Sequence, residues 1–106
     1  MERILARLTL GVLLIAASGA GAADVTVIQK NRAFSVQRLA VKVGDQVTFV
    51  NQDGVNHNVY SETKGLAFDF AQPPGRSDTV RFSRPGVAQV QCAIHPVMKL
   101  EVQVNP

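Results

Sequence analysis

Four side chains of the 106-residue sequence, two histidines, one cysteine and one methionine, could together bind a soft transition metal. Cys92, His95 and Met98 lie near the C-terminus and place a thiol, an imidazole and a thioether three residues apart. His57, the only other histidine, follows a turn-forming segment at residues 51–54. A loop of seven residues can direct three side chains at one point. A second loop at the same end of the domain would bring His57 to it.

The donor types favour one metal. Zinc sites favour additional cysteine, histidine or carboxylate ligands, and calcium and magnesium require oxygen. A thiolate with two imidazoles and a weak axial methionine suits copper. Taken singly, Met98 is typical of a core residue, His57 of a turn histidine and Cys92 of a small buried apolar residue. Taken together, we predict that His57, Cys92, His95 and Met98 bind one copper ion.

The N-terminus has the order of regions found in a secretory signal peptide. Arg3 and Arg7 precede a short apolar run at residues 8–17, and small residues follow at 18–23. The apolar run is shorter than the roughly 20 residues that a permanent membrane helix needs. We therefore expect a signal peptide at 1–22, a domain at 23–106, export to the periplasm and no stable membrane insertion after cleavage. An uncleaved membrane anchor is the alternative.

Export makes the single cysteine informative. Small exported domains usually contain paired cysteines, but Cys92 stands alone, so no disulfide can form within the chain. An unpaired thiol in an oxidising compartment is exposed to oxidation unless it is buried or bound to a metal.

The rest of the domain reads as short strands separated by turn formers, with no long helical periodicity. This pattern predicts an all-β domain, a Greek-key antiparallel β-sandwich of seven to eight strands. The expected strands cover residues 25–28, 34–43, 46–50, 57–61, 66–70, 77–82, 87–92 and 99–104.

Composition and carboxylate placement argue against other functions. The arginines at 76, 81 and 84 are spread along a strand pattern without interleaved aromatics, so nucleic acid is not an expected partner. Asp53, Glu62 and Asp69 accompany no nucleophile or further histidines, and we interpret them as solvated turn residues. Glu62 is kept as an alternative oxygen ligand in place of Met98.

Two motifs resemble those of the cupredoxins, most closely the group that contains amicyanin and plastocyanin. They are His57-Asn58-Val59 and the spacing Cys92-x-x-His95-Pro96-x-Met98. The sequence is also similar to small cupredoxins labelled methylamine utilization proteins, and the likeness extends over residues 25–104. The resemblance implies a type 1 copper bound by His57, Cys92, His95 and Met98, with Asn58 tying the two ligand loops together.

The sequence departs from the amicyanin and plastocyanin pattern at two places. Ile94 stands where these proteins have proline, so a backbone N–H is retained that we expect to reach the sulfur of Cys92. No aromatic residue shortly precedes the cysteine, since Ala88 and Val90 occupy that stretch.

The expected function is one-electron transfer between redox proteins, such as a c-type cytochrome or a periplasmic dehydrogenase, by a monomer. Ile94, Pro96 and Val97 would surround His95 and form an apolar contact surface. Copper buffering, delivery or resistance is the alternative function. We do not expect an enzyme, because copper oxidases and nitrite reductases need more histidines than the two present.

Overall fold

The computed structural model describes residues 21–106. The predicted signal peptide lies outside the described residues except for its last two positions. Between residues 21 and 106, no helix is long and apolar enough to cross a membrane.

The described part of the chain forms nine strands in two sheets. One sheet has the order β2-β1-β4-β7 and the other has the order β3-β9-β8-β5-β6. The strands are β1 (Asp24–Lys30), β2 (Ala33–Phe34), β3 (Arg38–Lys42), β4 (Gln46–Asn51), β5 (His57–Ser61), β6 (Phe68–Gln72), β7 (Ser77–Arg81), β8 (Gly86–Gln91) and β9 (Lys99–Asn105).

The predicted β-sandwich is confirmed, although two strand pairs are parallel. β1 pairs with β4, and β3 pairs with β9, in the parallel sense, while the other pairs are antiparallel. The chain leaves the first sheet after β2 and returns to it at β4. For this reason β4 runs beside β1 in the same direction.

The stretch 34–43, expected as one strand, is two strands in different sheets. Ser35 closes the β1–β2 hairpin, since its N–H donates to the Ile28 carbonyl at 2.7 Å and its hydroxyl accepts from the Ile28 N–H at 3.0 Å. At Gln37 the carbonyl already accepts from Glu101 of the other sheet. The crossing therefore occupies residues 35–37, where hydrophobic alternation carries no signal of a change of sheet.

The strand expected at 66–70 begins and ends two residues later, as β6. The N–H of Leu66 donates to the carbonyl of Thr63 at 2.9 Å, so Leu66 belongs to a turn. Its apolar side chain is buried all the same, which made the turn resemble a strand.

The core lies between the two sheets, where alternate side chains of each strand point inward. Phe49 is fully buried at its centre, and its ring centroid lies 6.1 to 6.3 Å from those of Phe34, Phe68 and Phe70. The same buried cluster includes Cys92 and Met98. The segment that follows β8 is thus anchored in the core at two points.

Candidate metal centre

The predicted donors meet at one end of the sandwich, here called the ligand end. It is formed by the β1–β2 turn and by the loops at residues 52–56, 73–76 and 92–98. His57 is the first residue of β5, and Cys92 directly follows β8, which is antiparallel to β5. The opposite, or far, end is formed by the turns at residues 43–45, 62–67 and 82–85.

Three of the four predicted donors form a compact triangle. The Nδ1 atoms of His57 and His95 are 3.2 Å apart, and the Sγ of Cys92 lies 3.8 and 3.9 Å from them, respectively. An ion near the plane of this triangle would lie at ordinary metal–ligand distances, about 2.0 Å from each nitrogen and about 2.3 Å from the sulfur. Within residues 21–106 no other group of three His, Cys, Asp or Glu side chains has this spacing. The triangle therefore fits the copper ion that the donor types predict.

Met98 closes the loop that contains the other two donors. Its N–H donates to the carbonyl of His95 at 2.9 Å, forming a tight turn, and its side chain is only 1% exposed. Both interpretations of Met98, as core residue and as axial ligand, agree with its buried position in the same core cluster as Cys92. Its ligand role stays a prediction.

Asn58 ties the two ligand-bearing segments together, as the resemblance implied. Its side-chain carbonyl accepts the N–H of Ala93 at 2.9 Å, and its backbone N–H lies 3.4 Å from the Sγ of Cys92. The expected donor to this sulfur was Ile94, and that expectation is wrong. Among the described residues the N–H that reaches the sulfur comes from the neighbouring strand, because β5 lies beside the cysteine.

Asp53 was interpreted as a solvated turn residue, which is wrong. Its Oδ2 lies 2.7 Å from the Nε2 of His57, and its carboxylate also accepts the backbone N–H groups of Asn31 and Arg32. Burial alone would raise the pKa of Asp53, but the hydrogen bonds from Arg32, His57 and Asn31 outweigh it and lower the pKa to about 2. The only sequence signal was its position four residues before a ligand histidine.

The other two carboxylates are not part of the donor triangle. Glu62 is exposed and follows the last residue of β5, so it lies about 16 Å along the chain from His57 at about 3.3 Å per residue. Its alternative role as an oxygen ligand is therefore not supported. Asp69 accepts a hydrogen bond from the side-chain amide of Asn58 at 2.6 Å and supports that residue.

A buried polar network that the sequence reasoning did not identify supports the loop before His57. Gln29 and Gln72 are fully buried and hydrogen-bonded to each other, and Gln72 also donates to the Phe49 carbonyl at 2.8 Å. Asn51 donates to the carbonyls of Val55 and Gln72 at 2.9 and 2.8 Å. Three amide side chains thus connect both sheets beneath the ligand end.

The surface around His95 is apolar, as expected. His95 is half-buried, whereas Ile94 and Val97 are 53% and 79% exposed and Pro96 is also exposed. Ile94, Pro96 and Val97 are called the loop patch below.

Fold and site together define a class: a β-sandwich with a buried thiol and two imidazoles converging at one end. The chain belongs to the plastocyanin/azurin family of copper-binding proteins, whose family model matches residues 22–105. The predicted copper cofactor is confirmed at the level of this family.

Two curated proteins of Methylorubrum extorquens are similar to this chain. The methylamine utilization protein MauL is 34% identical over 68 residues, which cover 62% of this chain and 60% of MauL. Amicyanin-alpha is 31% identical over 90 residues, which cover 81% of this chain and 74% of amicyanin-alpha. The match therefore spans less than two thirds of MauL and about three quarters of amicyanin-alpha.

A solved structure, the Cu-containing nitrite reductase from Thermus scotoductus, resembles this chain over 77% of its length. The TM-score is 0.71 and the sequence identity is 28%, but the likeness covers only 22% of the reductase chain. The similarity concerns one part of a much larger protein.

Proposed function

We propose that this chain is an exported, periplasmic type 1 copper protein that carries single electrons between redox proteins. His57, Cys92, His95 and Met98 would hold the copper ion. The observation that carries the proposal is the donor triangle, with separations of 3.2, 3.8 and 3.9 Å.

The protein holds these donors in place through contacts outside the triangle. His57 and Cys92 are each 1% exposed, His57 is hydrogen-bonded at its second ring nitrogen, and Asn58 binds the loop that follows the cysteine. When bound, copper supplies a one-electron couple between Cu(I) and Cu(II). Ligands that cannot move keep the rearrangement between these two states small, which favours rapid electron transfer.

Burial of the donors favours a carrier over a protein that buffers or delivers copper. Met98, Cys92 and His57 are nearly inaccessible, so an acceptor of the ion can approach only from the side of His95. An enzymatic role is not supported either, because both histidines of the chain belong to this one centre. The likeness to nitrite reductase covers too little of that protein to transfer its activity.

The loop patch is the proposed contact with redox partners. It includes both sequence neighbours of the partly exposed His95, and its small apolar surface suits a weak, transient encounter. Partners of the expected kind are a c-type cytochrome or a periplasmic dehydrogenase, and the protein would meet them as a monomer.

The proposal is tested by electron self-exchange between oxidised and reduced copper protein, measured by NMR line broadening, which needs no partner. Val97→Asp should slow exchange at least tenfold, because it places like charges in the contact between two copies, and should leave the visible spectrum unchanged. Val87→Asp is the matched control, since Val87 is 40% exposed on β8 outside the loop patch.

Equal self-exchange rates in Val97→Asp and Val87→Asp would show that the contact does not lie at the loop patch. Rapid transfer of Cu(I) from the wild type to a chelator, with slow self-exchange, would show delivery of copper in place of electron transfer. A colourless Cu(II) complex would contradict the type 1 assignment itself.

A further inference from the structure

The carboxylate of Asp53 is held by a turn that contains no predicted ligand. Asn31 and Arg32 are the two central residues of the β1–β2 turn, and both have positive φ angles, 55° and 56°. This backbone suits a two-residue hairpin, but it is unfavourable for a side chain such as that of Arg32. The turn keeps a costly conformation without glycine.

That conformation directs two successive backbone N–H groups at one acceptor. The N–H of Asn31 lies 2.5 Å from Oδ1 of Asp53, and the N–H of Arg32 lies 2.9 Å from Oδ2. Consecutive N–H groups in such a turn form a concave site for an anion. Here the anion is a side chain of the loop that leads to His57.

The backbone of Asp53 is fixed as well. Its N–H donates to the side-chain oxygen of buried Asn51 at 2.8 Å, and the preceding Gln52 donates to the carbonyl of Gln29 in β1 at 2.9 Å. Both the chain and the carboxylate of Asp53 are therefore attached to neighbouring strands, so the carboxylate has little freedom to follow a rotating imidazole.

The third contact of the carboxylate sets the state of the ligand ring. With Oδ2 of Asp53 2.7 Å away, Nε2 of His57 carries the ring proton. Nδ1 is then unprotonated and faces the Sγ of Cys92 and the Nδ1 of His95. A carboxylate in this position also makes the imidazole a stronger electron donor.

We propose that Asp53 is a positioning residue of the copper centre, which fixes the tautomer and orientation of His57 and lowers the reduction potential, and that the β1–β2 turn holds it in place. The negative charge and the more basic imidazole both stabilise Cu(II), the more highly charged state, over Cu(I). The inference rests on the proposed function, because a reduction potential requires bound copper.

Asp53→Asn tests the effect of the charge, because the amide keeps nearly the same shape and an oxygen that can accept from His57. The reduction potential measured by voltammetry should rise, and affinity for Cu(II) should fall 10- to 100-fold. Asp45→Asn is the matched control. Asp45 also accepts two backbone N–H groups, at 2.8 Å each, but at the far end. The reduction potential of Asp45→Asn should equal that of the wild type.

Asp53→Glu keeps the charge while displacing it by one methylene, so its potential should lie between those of Asp53→Asn and the wild type. An unchanged potential in Asp53→Asn, or equal shifts in Asp53→Asn and Asp45→Asn, would overturn the proposal. So would a Glu variant that behaves like the Asn variant.

A further measurement uses the wild-type protein without copper, so it does not depend on whether the Asp53 variants fold. In the zinc-loaded wild type the metal at Nδ1 leaves the ring proton of His57 on Nε2, and NMR should show that this proton exchanges slowly with solvent because the carboxylate of Asp53 holds it. Rapid exchange of the Nε2 proton would refute the role of Asp53. A wild type that lacks a reversible copper couple would refute the electron-transfer function and leave this NMR result standing.

Discussion

The two ends of the sandwich each contain an aspartate whose carboxylate accepts two backbone N–H groups. At the far end, Asp45 binds the N–H groups of Ala23 and Lys42 and makes no contact with a metal donor. At the ligand end, Asp53 binds two N–H groups of a turn and also the imidazole of His57.

The same arrangement, a carboxylate that accepts two backbone N–H groups, thus stabilises the fold at one end and orients a metal donor at the other. Both carboxylates have lowered pKa values, so a perturbed pKa alone does not distinguish them. What distinguishes Asp53 is its third partner. The far end should thus affect stability without affecting the copper centre, whereas changes at the ligand end should affect the centre first.

The largest expected effect is the loss of the centre in Cys92→Ser. Serine provides no thiolate, so the intense visible absorption of the Cu(II) protein should disappear completely. The fold should persist, because the hydroxyl lies near the N–H of Asn58, which can hydrogen-bond to it. Absorption spectra test the loss of the visible band, and circular dichroism spectra test whether the fold persists. A variant that remained blue would mean that Cys92 is not a ligand.

A large effect on stability alone is expected from Phe82→Ala. Phe82 is 1% exposed at the far end, and its ring packs edge-on against Phe68, with centroids 6.1 Å apart. The cavity should cost about 3–5 kcal/mol in the free energy of unfolding by urea. The visible spectrum and the reduction potential of the folded variant should match those of the wild type. A shifted spectrum would show that the two ends are coupled through the core.

A smaller, pH-dependent effect is expected from Asp45→Asn. Hydrogen bonds from Lys42 and Ala23 lower the pKa of Asp45 below its ordinary value of 3.8. Its contribution to stability is therefore complete above the unfolded-state pKa and is lost as the pH falls through the lower folded-state pKa.

Urea unfolding of the wild type and of Asp45→Asn should accordingly differ most near about pH 6, and the difference should shrink in acid. A difference that stayed constant, or grew, as the pH fell would contradict a stabilising ionised carboxylate at position 45.

The strands and the donor set were largely readable from the sequence. Alternation of apolar residues predicted β4, β5, β7 and β8 to within about one residue, because side chains on successive strand positions point to opposite faces. The break between β2 and β3 was missed, because the hydrogen bonds of Ser35 and Gln37 go to partners far along the chain.

The sequence alone determined which donors are present: one thiol, two imidazoles and a thioether, three of them at fixed short spacing near the C-terminus. That spacing is local, so chain geometry limits how far Cys92, His95 and Met98 can separate. The arrival of His57 among them required the pairing of β5 with β8.

The surroundings of the donors were decided only by the tertiary structure. Asp53 contacts a turn 21 and 22 residues away, and Asn58 contacts Ala93 across 35 residues. Aspartate and asparagine are ordinary turn residues in any sequence, so their types do not indicate these contacts. Only the folded sandwich brings the β1–β2 turn, the loop before β5 and the loop after β8 to one end, and hydrogen bonds between those segments then fix the orientation of the ligands.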